Sequence, residues 1–420
     1  MSELSSEPYA CSRDYHLFAP GPKRILSLDG GGVRGAVSVA FLERIEKILD
    51  ERTGRRVRLG DWFDLIGGTS TGAIIAGALA LGYRAAEIKD FYVRLAPQAF
   101  KPRWRIPYLQ ARFDARDLRA EIDKIVGNRT LESEDLITGF ALIAKRIDTG
   151  SPWLVVNNRR GKFWQSSNDH LANKDYTLAA LLRASTAAPL YFDPQMIAIT
   201  ADAPKDPLGE IPAPLSGAPW SAFLITKIRS VYGLVSRRGP SEKTHGLFID
   251  GGVSPYNNPV MALLMAVTLK QHNICWELGP SNLTIVSIGT GRFRTRISFP
   301  ELGVAGPLKL AKHAMLSSIG DAQNLAVAQM QWLGECPVRW QIDSEIEGVE
   351  GNAPPGGPWF RFMRYDISLE PASLKKKFHN VEKQDALTFQ EISNPAIVEP
   401  LYEIAQQVAE DTVKAEHLFG

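Results

Sequence analysis

Twice in the early part of the chain an apolar run ends in glycine and passes at once into a helix-forming stretch. Ile25-Leu-Ser-Leu-Asp29 leads into Gly30-Gly-Gly-Val-Arg-Gly35, and the residues from Gly35 onward place Val39, Leu42, Ile45, Ile48 and Leu49 on one helical face before Gly54. The second unit runs DWFDLIGG, TSTG and then the apolar AIIAGALALG. Strands that are apolar on both faces and joined by helices predict a parallel sheet with helices on either side. Strands in FALIAKRID, WLVVNN, GLFID and LTIVSIGTG, with helices in YTLAALLRAST and NNPVMALLMAVTLK, continue the alternation as far as Gly291. The fold class this implies is α/β, a largely parallel sheet covered by helices on both faces.

A chain of 420 residues has room for one large domain or for several of ordinary size. The pattern divides it into a polar leader over residues 1–22, a core over 23–292 and a C-terminal extension over 293–420 packed on that core. Residues 200–245 are rich in proline and glycine and read as an insertion. The extension should hold a long helix around Leu308 to Leu333, strands near Val338 to Ile342 and Arg361 to Ser368, and a last helix near Pro395 to Leu418.

The chemistry gathers at the glycine turns. In Gly68-Thr-Ser70-Thr-Gly72 the flanking glycines permit a tight strand-to-helix turn, which would expose the Ser70 hydroxyl at a helix N-terminus. A nucleophile there gains from first-turn amides and the helix dipole, which both favour negative charge. Read alone, the same pattern also fits a serine that merely caps its helix. Gly30, Gly32 and Gly35 form a GxGxxG pattern, and Asp50 lies near the spacing of a ribose-binding acid, but Asp50 ends a helix rather than the next strand. The loop lacks the Lys-Ser/Thr ending of a P-loop. Amides of Gly30, Gly31 and Gly32 converging on an oxyanion are the third reading.

A serine nucleophile needs a base. His16, His170, His245, His272, His313, His379 and His417 all lack the context of a triad histidine; His245 precedes Asp250, whereas an α/β-hydrolase acid precedes its histidine. Asp250 ends the strand Phe248-Ile-Asp250 and is followed by Gly251-Gly252, which lets the chain turn away from it. Partial burial would raise its pKa from about 3.9 and make it a better base.

Taken together, DGGGVRG, GTSTG and DGGVSPYNNPV, in that order, resemble the patatin-like phospholipases, and RASTAAPLYF is similar to a further family segment. The resemblance covers roughly residues 24–292 and implies a three-layer α/β/α fold and a lipid acyl hydrolase. It implies that Ser70 attacks a fatty-acyl ester while Asp250 takes its proton directly, with Gly30, Gly31 and Gly32 as the oxyanion hole. Gly68 and Gly72 would be the glycines of the nucleophile elbow, and Arg34 would orient the loop or meet lipid phosphate. It implies phospholipid or lysophospholipid as substrate, no metal and no cofactor, and, by analogy with bacterial relatives, a small-nucleotide activator. A general serine carboxylesterase and a non-catalytic lipid-binding protein are the alternatives.

A net charge of +2 gives no reason to expect a nucleic acid duplex as partner. Cys11, Cys275 and Cys336 are far apart and form neither a disulfide framework nor a zinc site, which fits a reducing, cytoplasmic location. No secretory signal or membrane span is evident, but two segments could touch a membrane surface. One is Trp220 to Arg238, with Lys227, Arg229, Arg237 and Arg238 beside an apolar face. The other interleaves Lys101, Arg103, Arg105 and Arg112 with Trp104, Tyr108 and Phe113.

Overall fold

The two strand-glycine-helix units lie side by side. In the computed structural model, β1 (Lys23–Leu28) and β2 (Leu65–Thr69) pair in parallel. Beyond β1 come β7 (Leu283–Ile288), β9 (Arg361–Tyr365) and β8 (Glu335–Val338), and beyond β2 comes β3 (Gly139–Arg146), all parallel. The far side reverses direction. β4 (Pro152–Val156) and β6 (His245–Asp250) are both antiparallel to β3, and β5 (Gln195–Ala198) is antiparallel to β6. The structure describes residues 11–101, 111–166, 170–200, 244–303, 306–379 and 381–419, and among them these nine strands make one mostly parallel sheet.

Alternate strand residues point to opposite faces. Ile25, Leu65, Ile285 and Phe362 join a cluster with the helix Val260–Thr268 and the end of the helix Pro307–Leu333. Leu26, Leu28, Ile66, Val286 and Met363 join a larger cluster with the helices Gly35–Thr53, Thr71–Ala80, Ala85–Ala99 and Val398–Thr412. Helices therefore cover both faces, giving the expected three-layer arrangement. Each fully buried leucine or isoleucine contributes about 1.5–3 kcal/mol.

Several boundaries differ from the expectations. β5 was not anticipated, being only four residues long, and β8 starts and ends earlier than Val338 to Ile342. Within the polar leader, Ser12–Phe18 is a short helix; its Leu17 is fully buried and its Leu17 carbonyl accepts the Trp276 indole N–H at 2.8 Å. The extension supplies β8 and β9 to the sheet, and its helix Val398–Thr412 packs on Gly35–Thr53. Of the insertion, residues 201–243 lie outside the described residues, including Trp220 to Arg238.

One feature of the register positions the site. β4 pairs with Ala141 to Lys145 of β3, whose other edge carries β2 only as far as Ile143, opposite Thr69. From Ala144 that same edge is taken by β6, arriving from the opposite direction, with Asp250 opposite Ala144. β2 and β6 thus meet head-on along one edge of β3, and the residue after β2 faces the residue that ends β6.

Candidate active site

Those two residues are Ser70 and Asp250. Ser70 stands between β2 and the helix Thr71–Ala80 with φ 55° and ψ −125°, a backbone that non-glycine residues rarely adopt. The turn is tight enough that a Cβ on Gly68 would lie 2.1 Å from the Gly72 backbone, and one on Gly72 would lie 2.3 Å from the Leu28 carbonyl oxygen. Both glycines of the elbow are therefore required by close packing of backbone on backbone. The Ser70 N–H donates to Ser185 Oγ at 2.9 Å, and Ser185 Oγ donates in turn to the Ile143 carbonyl at 2.6 Å. This fixes the elbow to β3.

The Ser70 hydroxyl donates to Asp250 Oδ2 at 2.6 Å, and Asp250 Oδ1 accepts the Gly252 N–H at 2.6 Å. Asp250 is 5% exposed, and burial pushes its pKa up to about 6, against the opposing pull of the Ser70 and Gly252 hydrogen bonds and the Arg183 charge. The carboxylate is thus a stronger base than a free aspartate yet ionised at neutral pH. The sign follows: kcat/KM should rise through pH 6 to a plateau, falling about tenfold per unit on the acid side. A pH-rate profile with its acid limb near 3.8 would show that Asp250 is not the titrating base.

The glycine loop lies directly against the serine: a Cβ on Gly30 would be 3.2 Å from the Ser70 Cβ. The three amides are not equivalent. The Gly30 N–H donates to the Asn257 carbonyl at 3.0 Å, and the Gly30 carbonyl accepts from Asn257 Nδ2 at 3.2 Å and Thr290 Oγ1 at 3.0 Å. Gly30 is accordingly removed from the expected set of oxyanion donors, because its N–H is already used. The amides of Gly31 and Gly32 have no acceptor among the described residues. Gly32 has φ +59°, its carbonyl accepts the Tyr92 hydroxyl, and a Cβ there would lie 2.1 Å from the Ile392 carbonyl oxygen. Gly32→Ala should therefore lower kcat about 100-fold by displacing a donor. Steady-state kinetics would check it; an unchanged kcat would exclude the loop from the chemistry.

Residues 26–264, more than half of the chain, match the family model for patatin-like phospholipase. The chain belongs to that family. The cGAMP-activated phospholipase of Vibrio cholerae is 34% identical over 183 residues, covering 41% of this chain and 49% of that protein. Patatin-like protein 2 of Arabidopsis thaliana is 27% identical over 305 residues, covering 67% of this chain and 63% of that protein. The chain thus spans about half the length of the first of these relatives and under two thirds of the second. Among solved structures, human GIVD cytosolic phospholipase A2 has a TM-score of 0.37 at 10% identity, covering 95% of this chain and 60% of that one.

In this member of the family the extension beyond the family match reaches back towards the site. The loop aspartate, Asp29, is held bidentately by Arg364 of β9 at 3.1 and 2.7 Å, and Arg364 also meets Asp366 at 2.6 Å. Arg34 is 9% exposed, donates to the Gly291 carbonyl at 3.2 Å and lies 5.0 Å from the centre of the Phe293 ring. Burial lowers its pKa to about 10, which leaves it charged. The Arg34 contacts tie the loop to the chain after β7; its buried Nε has no hydrogen-bond partner among the described residues.

A cavity of about 150 Å³ opens above Ser70, with Ile74, Leu95, Phe100, Phe192, Met315 and Ile319 on its walls and Gly31, Gly32 and Asp250 at its floor. Among the described residues no histidine lines it. Phe113, expected on a membrane-facing segment, is instead fully buried against Phe100, Tyr191 and Phe192. Arg112 of the same segment donates to Ser393 Oγ at 3.3 Å, and residues 102–110 lie outside the described residues. The supporting residues Ser185 and Asn257 sit within stretches already singled out, RASTAAPLYF and DGGVSPYNNPV. Tyr92, Thr290, Ile392 and Arg364 carried no sequence signal. Among the described residues no helix is long and apolar enough to cross a membrane.

Proposed function

We propose that the chain hydrolyses fatty-acyl esters of phospholipid or lysophospholipid, with Ser70 as nucleophile and Asp250 as its base. The observation that carries this reading is the 2.6 Å hydrogen bond from Ser70 Oγ to a buried Asp250, beside two unused glycine amides and an apolar cavity. Ser70 Oγ bonds to the ester carbonyl carbon as its proton passes to Asp250. The amides of Gly31 and Gly32, with the N-terminus of the helix Thr71–Ala80, stabilise the oxyanion. Asp250 then returns the proton to the departing alkoxide, leaving acyl-Ser70. In the second half Asp250 takes a proton from water, the hydroxide adds to the acyl carbon, and Asp250 returns the proton to Ser70 Oγ as the bond to it breaks and the fatty acid leaves. A hidden histidine relay is not needed, because the carboxylate already touches the hydroxyl.

The reading includes contact with a membrane surface during substrate uptake, where each methylene moved into an apolar site contributes about 0.8 kcal/mol. It also includes a small-nucleotide activator, a feature supported by the name of the Vibrio cholerae relative. Incubation with vesicles of mixed phospholipids should release free fatty acid and lysophospholipid in equal amounts at first. A fluorophosphonate should stop the reaction and leave its adduct on the peptide containing Ser70. Intact lipids with and without cyclic dinucleotide, or an adduct on another serine, would overturn the assignment.

A further inference from the structure

The cavity above Ser70 does not stand alone. A second one of about 1050 Å³ adjoins it, and the two share Arg34, Tyr191, Asn257, Leu316, Ile319 and Ile392 as lining residues. A phospholipid whose ester carbonyl reaches Ser70 must send its acyl chain to one side and its phosphoglycerol end to the other. The smaller cavity is apolar and suits the chain. The walls of the larger mix polar and apolar surface about equally, and are built from the segment after β7, the helix Pro307–Leu333 and the loop carrying Asp343. Its cations, Arg34, Arg112, Arg292, Arg294, Arg296 and Lys312, outnumber its carboxylates, Asp321, Asp343, Glu345 and Glu391.

Some of these charges are already engaged. Asp343 accepts the N–H groups of Glu345 and Ile346 at 2.8 and 2.9 Å, and Arg296 meets Glu370 at 3.6 Å. Arg292 donates one N–H to the Ile342 carbonyl at 3.1 Å. Arg294 and Lys312 are exposed, and among the described residues neither has a side-chain carboxylate within salt-bridge distance. Guanidinium forks match phosphate oxygens, and an anion here would also offset the burial that lowers the pKa of Arg292 to about 10.

We propose that the larger cavity is the phosphate-binding half of the substrate site, where Arg292, Arg294 and Lys312 hold the phosphodiester of a lipid whose acyl chain occupies the cavity above Ser70. This rests on the reading of Ser70 as nucleophile. The shared wall of the two cavities favours an amphipathic ligand over a soluble phosphodiester, because only the former fills both.

The test separates binding from turnover. Ser70→Ala protein, with and without Arg294→Gln/Lys312→Gln, is titrated calorimetrically with monomeric lysophosphatidylcholine and with a monoacylglycerol of the same chain. The double change should weaken lysophospholipid binding on the order of tenfold, the scale of screened charge contacts, and leave the monoacylglycerol within about twofold. Arg294→Lys/Lys312→Arg should restore binding. Equal weakening of both lipids, or of neither, would overturn the proposal whatever the catalytic role of Ser70. So would a cyclic dinucleotide that binds the Ser70→Ala protein, is displaced from it by the double change, and leaves lysophospholipid binding intact. With Ser70 restored, the same double change should lower kcat/KM for phospholipid and spare a nitrophenyl ester.

Discussion

Ser70→Ala and Asp250→Asn should each lower kcat on phospholipid by about 10⁴-fold or more, and combining them should cost hardly more than either alone. In the proposed mechanism the two groups act as one unit: without the carboxylate the hydroxyl has no acceptor for its proton, and without the hydroxyl the carboxylate has nothing to deprotonate. The residual rate would come from the glycine amides and from binding. Asp250→Asn has a second expected effect, of opposite sign, on stability. Burial pushes the folded pKa of Asp250 up to about 6, above the ordinary aspartate value of about 3.8. A group raised in this way contributes stability that is complete below the unfolded pKa and is lost as pH rises through the folded one. At pH 8 the ionised, buried carboxylate therefore costs on the order of 3 kcal/mol relative to acid conditions. Asparagine keeps the acceptor for Gly252 without the charge, so the variant should be the more stable protein at pH 8, with the difference shrinking as pH falls through 6 towards 4. Urea unfolding at both pH values measures this. An inactive variant less stable than its parent at pH 8 would mean that Asp250 is not held as a strained base.

That the turns carrying Ser70 and Asp250 were legible in the sequence follows from how local their requirements are. A serine between Gly68 and Gly72, and an aspartate closing an apolar strand before Gly251-Gly252, need only their neighbours to make the turns. The failures are all of long range. The Gly30 amide is spent on Asn257, a residue 227 positions away, and no spacing rule ties the two. Phe113 alternates with arginines in a way that looks the same whether the aromatic ring faces lipid or its own core; only the positions of Phe100, Tyr191 and Phe192 decide it. The head-on meeting of β2 and β6 depends on where β2 stops along β3, which is a property of register. The alternation of strands and helices, by contrast, is written in periodicity, and it gave the layers correctly. The extension was expected to pack on the sheet; its actual place within the sheet follows from β9 pairing with β7.

Arg364→Met should destabilise the protein by about 3–5 kcal/mol at neutral pH, the cost of leaving buried carboxylates without their cation. Arg364 is 4% exposed and Asp29 is 1% exposed, and the guanidinium meets Asp29, Asp366 and the Ser287 hydroxyl, the last at 2.7 Å. The two carboxylates hold the Arg364 pKa above the ordinary value, which marks a charge the fold depends on. Asp29 immediately precedes Gly30, so the cation supplied by the extension anchors the strand end from which the glycine loop departs. Loss of Arg364 should accordingly lower kcat as well as stability, although its side chain is not among those lining the cavity above Ser70. Asp29→Asn alone leaves Arg364 with only one carboxylate, Asp366. Made in the Arg364→Met background, however, Asp29→Asn should restore part of what was lost, because it removes an unpaired buried charge. The coupling between the two positions should therefore be about 1–3 kcal/mol in a double-mutant cycle. Additive effects of the two changes in urea unfolding would mean that the pair does not act as a unit in holding the glycine loop.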